Sequence, residues 1–324
     1  MASKKENKTD YQTGNKPEIS IVIPLFNEEQ SLHELTNQII KAVDGYSFEV
    51  IFVDDGSDDF SWDVITKLSG QFHFVRAIRF RRNYGKSDAL QAGFEAAKGT
   101  YIVTMDADMQ DDPFEIPELV AMLKDGADMV SGWKKVRHDP ISKTVPSRFF
   151  NAITRLTTGI KLHDFNCGLK AYRKEVTDSI FLYGEMHRYV PLLAKWKGFS
   201  KISEKVVKHH PRKYGKTKFG ISRFLNGFLD LLTLLFVNRY MHRPMHFFGL
   251  FGVLFLITGA AISGWLAYLK IFLGEPLANR PLLFLGILLI VVGVQFFSIG
   301  FLGEMINKGQ VKDQKPGIYE KIGL

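Results

Sequence analysis

Two textures divide the chain. From Ile19 to Val130, short β-branched runs alternate with stretches whose apolar residues recur every three or four positions. Ile19–Leu25 (ISIVIPL) predicts a buried strand; Glu28 to Val43, with Leu32, Leu35, Ile39 and Val43 on one face, predicts a helix. Phe48–Val53 predicts a second strand running into Asp54-Asp55-Gly56-Ser57, and a helix through Trp62, Ile65 and Leu68 follows. Phe74–Phe80 is a third predicted strand, Ser87 to Ala97 a helix stopped by Gly99, and Tyr101–Met105 a fourth strand ending at Asp106. Pro113 to Leu123 predicts a helix with proline at its start, and Asp128–Val130 opens a fifth strand. This βαβα alternation builds an α/β domain with a doubly wound, mostly parallel sheet. Ligands bind such sheets beyond the carboxyl ends of the strands, where the polar clusters of this chain fall. Farther on, residues 133–147 read as a basic loop. Arg148 to Thr158, Lys174 to Leu182 and Arg188 to Trp196 read as helices, and Phe199–Val207 as a strand.

The last third is of another kind. Met245 to Leu269 carries only His246 as a titratable group, and Pro281 to Gly303 carries no charge. A spanning helix needs about 20 apolar residues, and core helices of this length keep a polar stripe. The two runs are therefore read as a transmembrane hairpin around the loop Lys270 to Arg280. Ile221 to Tyr240 is mainly apolar, with Arg223, Asn226 and Asp230 on one side. That pattern fits a helix in the membrane interface and also a helix packed on the domain. The expected organisation is a disordered tail at 1–16, the α/β domain at 17–218, interfacial amphipathic helices at 219–243, the hairpin at 244–304 (spans about 245–269 and 281–303) and a tail at 305–324. Arg239, Arg243, Lys308, Lys312 and Lys315 flank the hairpin, against Lys270 and Arg280 in its loop. The positive-inside rule then puts the large domain and both termini in the cytoplasm.

Charge and cysteine content narrow the classes. The net charge of +8 is spread evenly up to Arg243, which excludes a nucleic-acid-binding tail and suits anionic headgroups or a phosphate-bearing substrate. Cys167 is the only cysteine, so no intramolecular disulfide forms. The opening MASKKENKTD has no apolar stretch and does not read as a cleavable signal.

Six clusters carry candidate chemistry. Asp106-Ala107-Asp108 ends an apolar strand. Carboxylates at i and i+2 on a strand point the same way and suit a hard divalent cation, Mg²⁺ or Mn²⁺; Gln110 continues that face as a neutral oxygen ligand. Alone, such a pair, with Asp111 and Asp112 behind it, reads equally as a solvated acidic loop. An acid of Asp54-Asp55-Gly56-Ser57 can accept from a base N–H while Gly56 lets backbone approach a ligand; Ser57 or Asp58 can equally cap the next helix. In Pro24 to Glu29, Asn27 is a cap candidate and Phe26 can pack on a nucleobase. Among Arg79, Arg81, Arg82 and Lys86, Lys86 at a helix N-terminus suits a phosphate. Lys134, Lys143, Ser147 and Asn151 make either a phosphate cradle or a cationic surface helix. The basic loop Pro211 to Lys218 can close over a pyrophosphate or hold anionic lipid.

Taken in order, IVIPLFNEE, VDDGSDD, NYGKSDALQAGFEAAKG, MDADMQDDP and DFNCGLKAY resemble a family 2 glycosyltransferase of the GT-A fold, and within it the polyprenyl- and dolichyl-phosphate sugar synthases. The resemblance covers residues 18–240 or so, and the hairpin is similar to that of members carrying one. It implies metal-dependent, inverting transfer of a sugar from a UDP- or GDP-linked donor to a polyprenyl phosphate, undecaprenyl or dolichyl, at the inner membrane. Pro24, Phe26, Glu28, Val53 and Asp55 would line the nucleotide pocket, with Phe26 where Tyr is commoner. Asp106 and Asp108 would be the catalytic pair; with Gln110 they would surround the Mg²⁺ or Mn²⁺, and Asp106 and Ala107 would also touch the donor. Lys134, Lys143 and Ser147 fall where the family holds the acceptor phosphate, the first two often being Arg. Arg212 and Lys218 fall on a loop that contacts donor phosphates.

Departures are informative. No Glu-Asp pair stands where relatives acting on hydroxyls place a base; Glu185 is the nearest acid, read as structural or acceptor-side. The Q-x-x-R-W motif of chain-building synthases is absent, so processive polymerisation is not expected. Two rivals remain: a family 2 transferase acting on a lipid hydroxyl, and a non-catalytic membrane scaffold. Sugar, base and choice of ion stay open, and so does a homo-oligomer.

Overall fold

The near-continuous apolar runs of the first half become strands buried on both faces, as a sheet covered by helices on each side requires. β1 (Ile19–Leu25), β2 (Phe48–Asp54), β3 (Val75–Phe80) and β4 (Tyr101–Thr104) pair in parallel, β1 lying between β2 and β4. α1 (Leu32–Ala42), α2 (Ser61–Gln71) and α3 (Lys86–Ala96) connect them. A 3-10 turn, Pro113–Glu115, leads into α4 (Ile116–Lys124) and β5 (Met129–Trp133). β6 (Lys170–Arg173), α5 (Lys174–Ser179), a 3-10 turn at Met186–Arg188, α6 (Val190–Trp196) and β7 (Ile202–Val206) complete this part. This is a computed structural model, and it describes residues 16–135, 151–156, 158–211, 213–214, 244–274, 276, 281–309 and 318–323. The segment Ile221 to Tyr240, residues 1–15 of the N-terminal tail, and Lys143, Ser147, Arg212 and Lys218 lie outside the described residues.

With β8 at Ile318–Ile322, the eight-stranded sheet has the order β7-β5-β6-β4-β1-β2-β3-β8. Period-two alternation sorts its residues into two cores. Ile19, Ile21, Ile23, Val50 and Phe52 join Leu32, Leu35, Ile39, Trp62 and Leu119 on one face. Val22, Ile51, Val53 and Ile78 join Ala89, Leu90, Phe94 and Val176 on the other.

Five expectations are corrected. β6 is a strand, antiparallel to β4 and β5, inside a motif that had no predicted element. β8 (Ile318–Ile322) pairs antiparallel with β3, so the tail beyond the second apolar run returns to the sheet. β4 stops at Thr104, and Asp106 and Asp108 occupy the turn after it, with Met109 at φ 61°. Neither Ser57 nor Asp58 caps α2: Ser61 N–H donates to Asp59 Oδ1 at 2.9 Å, while Ser57 Oγ accepts from Asn27 N–H at 2.9 Å. Asn27 has φ 57° and exchanges hydrogen bonds with Asp58, binding the β1–α1 loop to the β2–α2 loop instead of capping a helix.

At the opposite, amino end of the strands lies a buried charge pair. Arg76 donates to Glu49, whose other oxygen accepts from Ser20 Oγ at 2.5 Å and Lys98 N–H at 2.7 Å; Arg76 Nε donates to Gly323 O at 3.0 Å. Their side chains are 9% and 6% exposed, so either charge left alone would stay desolvated. Glu49→Ala is expected to lose about 3–5 kcal/mol of unfolding free energy, and the double change Glu49→Leu with Arg76→Met much less. Denaturant titration of the three proteins checks this.

The second compact unit, Phe228–Gln314, is described through two helices, α7 (Pro244–Leu273) and α8 (Pro281–Gly309). Both are long and apolar enough to cross a membrane, over Phe247–Leu273 and Pro281–Gly303. Their outer residues, such as Leu250, Ile257, Phe284 and Leu288, are exposed, as lipid-facing positions are. The helices meet on glycines: a Cβ at Gly259 would stand 2.7 Å from Gly286 O, and one at Gly293 would stand 2.8 Å from Gly252 O. Backbones this close need small residues. Gly293→Leu is expected to separate the pair, read as a lower melting temperature in detergent than that of Gly264→Leu, where a Cβ meets nothing.

Candidate active site

The carboxyl ends of β1, β2 and β4 and the start of α3 assemble the site. β1 and β2 run in register with Pro24 beside Val53 and Leu25 beside Asp54. Pro24, Val53 and Asp55 are buried and Phe26 and Glu28 half-buried, so all five expected nucleotide-pocket residues gather at adjacent strand ends. Glu28 N–H donates to Ser61 Oγ at 3.0 Å. Gly56, at φ 73°, lies against the backbone of Arg82, where a Cβ would be 2.5 Å from a carbonyl carbon.

Asp55 has a role the sequence did not disclose. Its two oxygens accept from Tyr84 N–H at 2.7 Å and Gly85 N–H at 2.9 Å. It thereby fixes the turn that enters α3 and the backbone of Lys86. Burial pushes its carboxyl up to about 6, against the lowering effect of those two hydrogen bonds.

Lys86 reaches across to Asp106 Oδ1. Asp106 lies against Gly168, where a Cβ would sit 2.6–2.8 Å from the carboxylate atoms. Thr104 Oγ1 donates to Gly168 O at 2.9 Å and holds the two segments together. Burial alone would raise the Asp106 carboxyl; Lys86, Lys134 and Lys170 outweigh it and keep the group below the usual carboxylate range. Lys170, 4% exposed and in register with Thr104, donates to Cys167 O. Its burial lowers the ammonium's pKa, and burial lifts the Cys167 thiol to about 12. Lys134 Nζ stands 2.7 Å from Asp111 Oδ1. Burial would lower it, but Asp111 and Asp106 hold it above the ordinary lysine range. Lys134, expected beside an acceptor phosphate, therefore sits in the same charge cluster as Asp106.

Asp106, Asp108 and Gln110 are each partly exposed, while Ala107 and Met109 between them are buried. These three partly exposed positions lie in a turn rather than on a strand. Asp108 Oδ1 accepts from Gln110 N–H at 3.2 Å. Among the described residues no three His, Cys, Asp or Glu side chains stand close enough to hold a metal ion alone. Two carboxylates and an amide are nevertheless hard oxygen donors, and Gly168 leaves no bulk against Asp106. The set fits a divalent ion that takes its other ligands from phosphate and water, as Mg²⁺ does.

Other candidates fall elsewhere. Asn151 is buried and accepts from Phe165 N–H at 3.4 Å, so it belongs to the packing and not to a phosphate cradle. Glu185 pairs with Arg188 at 3.2 Å. The adjacent His187 binds Ser87 through its N–H at 3.0 Å and Nδ1 at 3.1 Å, tying this turn to the first residues of α3. His210 N–H donates to Gln110 O at 2.9 Å and its Nε2 lies 3.2 Å from Asp112 Oδ2. Lys213 pairs with Glu34 at 2.7 Å, so this member of the expected donor-closing loop is engaged on α1. The sequence analysis missed Lys170, His187 and His210; a lysine inside the apolar stretch CGLKAY was the one available signal.

A family model, glycosyl transferase family 2, matches residues 20–181. The chain is 39% identical over 302 residues to dodecaprenyl-phosphate galacturonate synthase of Rhizobium johnstonii, covering 91% of this chain and 89% of that protein. It is 34% identical over 295 residues to undecaprenyl-phosphate 4-deoxy-4-formamido-L-arabinose transferase of Edwardsiella ictaluri, covering 90% and 89%. In fold it is similar to glucosyl-3-phosphoglycerate synthase from Mycobacterium tuberculosis, crystallised with Mn²⁺, UDP-glucose and phosphoglyceric acid, at a TM-score of 0.52 and 23% identity over 68% of this chain and 79% of that one.

Asp55 yields a test with opposite signs in two measurements. A carboxyl whose pKa rises on folding adds stability that is complete below its unfolded value of about 3.9 and is lost as pH climbs through the folded value. Wild type should thus lose stability relative to Asp55→Asn between about pH 4 and 6. Nucleotide affinity should rise over the same window, as the ionised group orders Tyr84 to Lys86. Unfolding and UDP or GDP titrations at stepped pH read the two. With a mostly parallel sheet, an acidic turn after its strand β4, a family model matching residues 20–181 and relatives matching nine-tenths of its length, the chain belongs to glycosyl transferase family 2 and is a glycosyltransferase.

Proposed function

We propose that the protein transfers a sugar from a nucleotide-sugar, UDP- or GDP-linked, to a polyprenyl phosphate, with a divalent ion, Mg²⁺ or Mn²⁺, bound at Asp106, Asp108 and Gln110. One observation carries this: an ionised Asp106 ringed by Lys86, Lys134 and Lys170 at the carboxyl end of a parallel sheet, in a chain that also bears two membrane-length apolar helices. A cationic bowl around a carboxylate suits two phosphate-bearing substrates. The names of the two relatives, both polyprenyl-phosphate sugar enzymes, support the acceptor class, and the Mn²⁺ and UDP-glucose of the solved neighbour support the donor and the ion.

In this reading Pro24, Phe26, Glu28, Val53 and Asp55 receive the nucleoside. Lys86, with Arg212 and Lys218, faces the diphosphate. Lys134, Lys143 and Ser147 receive the acceptor phosphate. A phosphate monoester has a second pKa near 6, so the acceptor oxygen is already a nucleophile at neutral pH and needs no general base. It attacks the anomeric carbon in line, forming one C–O bond as the bond to the diphosphate breaks, with inversion. The ion, when bound, supplies Lewis-acid stabilisation of the leaving diphosphate. Lysine ammonium groups add fixed positive charge where that negative charge develops.

The hairpin would hold the enzyme in the inner membrane, where the acceptor's tail remains. β8, after the second apolar helix, is part of the same sheet as β3. That supports an even number of crossings, with both hairpin ends on the catalytic side; the flanking lysines and arginines favour the cytoplasm.

Purified protein with Mn²⁺ or Mg²⁺ and a panel of UDP- and GDP-sugars should form lipid-linked product on undecaprenyl phosphate and none on diacylglycerol or ceramide. Product on the hydroxyl lipids alone would replace this reading with the glycolipid-synthase one. Asp108→Asn should lower kcat roughly 100-fold or more, the loss of several kcal/mol of charge stabilisation.

A further inference from the structure

We infer that Lys86 is a counter-ion that competes with the divalent cation for Asp106, so that the cation binds together with the nucleotide and not ahead of it. The inference rests on the metal-assisted reading above. Three lysines surround Asp106, and they are not equivalent. Lys134 is engaged with Asp111, and Lys170 is buried with its ammonium on Cys167 O. Lys86 alone of the three is hydrogen-bonded to an Asp106 oxygen. Its side chain is 28% exposed and that of Asp106 is 32% exposed, so the pair opens to the cleft.

Gly168 backbone covers one side of the Asp106 carboxylate. A cation that binds the partly exposed carboxylate meets the ammonium of Lys86 there. An ammonium and a divalent cation brought onto the same carboxylate repel each other, so the ammonium opposes the cation's arrival.

The main chain of Lys86 is fixed on both sides. Asp55 holds the N–H groups of Tyr84 and Gly85, and His187 binds Ser87. Only the four-carbon side chain is free to move, and it starts at the N-terminus of an eleven-residue helix. A diphosphate there offers the ammonium a second anionic partner. When diphosphate and cation arrive together, Lys86 moves from carboxylate to phosphate and the cation takes the vacated oxygen. Charge at Asp106 is compensated before and after the exchange. A cation without nucleotide must displace Lys86 into water, which weakens its binding.

The test is Mn²⁺ titration of the purified full-length protein, read by the electron paramagnetic resonance of free Mn²⁺, with and without UDP or GDP. Wild type should bind Mn²⁺ weakly alone and more tightly with nucleotide. Lys86→Gln should bind Mn²⁺ alone about tenfold more tightly, equivalent to ~1.4 kcal/mol, and lose most of the dependence on nucleotide. Lys86→Arg should restore the wild-type dependence. Lys134→Gln should raise nucleotide-free affinity less than Lys86→Gln does, because its ammonium is bonded to Asp111 and acts on Asp106 only through space. Unchanged Mn²⁺ affinity in Lys86→Gln, with nucleotide-dependent binding intact in wild type, overturns the inference and leaves the metal reading standing. An equal gain in Lys134→Gln overturns the specific role of Lys86. No Mn²⁺ binding by wild type under any condition overturns both.

Discussion

A carboxylate set against a backbone glycine and partly withdrawn from water is held ionised by positive charge built around it. Asp106 is that carboxylate, and much of the catalytic domain's architecture is arranged to supply its surroundings. Lys86 comes from the start of α3, Lys134 from the end of β5 and Lys170 from β6. Three separate elements must dock correctly before the three ammonium groups converge. The cluster is thus a product of the tertiary fold, with no local stretch of sequence able to form it. Mutual screening also explains why two buried lysines are tolerated: each has an anionic or carbonyl partner, as buried charge requires.

The antiparallel β6 is what makes this convergence possible. A purely parallel sheet would deliver only carboxyl ends to the site. β6 runs the other way between β4 and β5, so its amino end arrives beside the carboxyl end of β4. That places Gly168 against Asp106 and Lys170 opposite Thr104. Reversing one strand brings a second loop, with its own backbone carbonyls and side chains, to the floor of the cleft.

The parallel core was legible because its strands are nearly all apolar and its helices keep a regular stripe: Leu32, Leu35 and Ile39 report α1 without ambiguity. The acidic turn was legible as a pair of acids at a strand end. What could not be read was anything set by pairing across the sheet. Lys170 sits in a four-residue strand too short for periodicity to register, and β8 lies in a polar stretch whose strand character comes from the free edge of β3. Asp55 was identified at the nucleotide pocket, yet its bonds to Tyr84 and Gly85 span about thirty residues of chain. Ser57 was weighed as a cap on local spacing and instead serves Asn27, thirty residues away. Local patterns identify elements; contacts between loops decide which side chain does what.

Those loop contacts also explain how a site made of turns can be rigid. The β1–α1 and β2–α2 loops are joined through Asn27, Ser57 and Asp58; the β2–α2 loop is joined to the start of α3 through Asp55; and the start of α3 is joined to the 184–189 turn through Ser87 and His187. Each link is a side chain on one loop satisfying backbone N–H groups of the next. Backbone donors left over at strand and helix ends must find partners, and here neighbouring loops supply them. The same hydrogen bonds that remove a desolvation cost therefore fix the entry to α3, and with it the root of Lys86. The moving part of the proposed exchange is then one side chain, the length over which an ammonium can pass from a carboxylate to a phosphate.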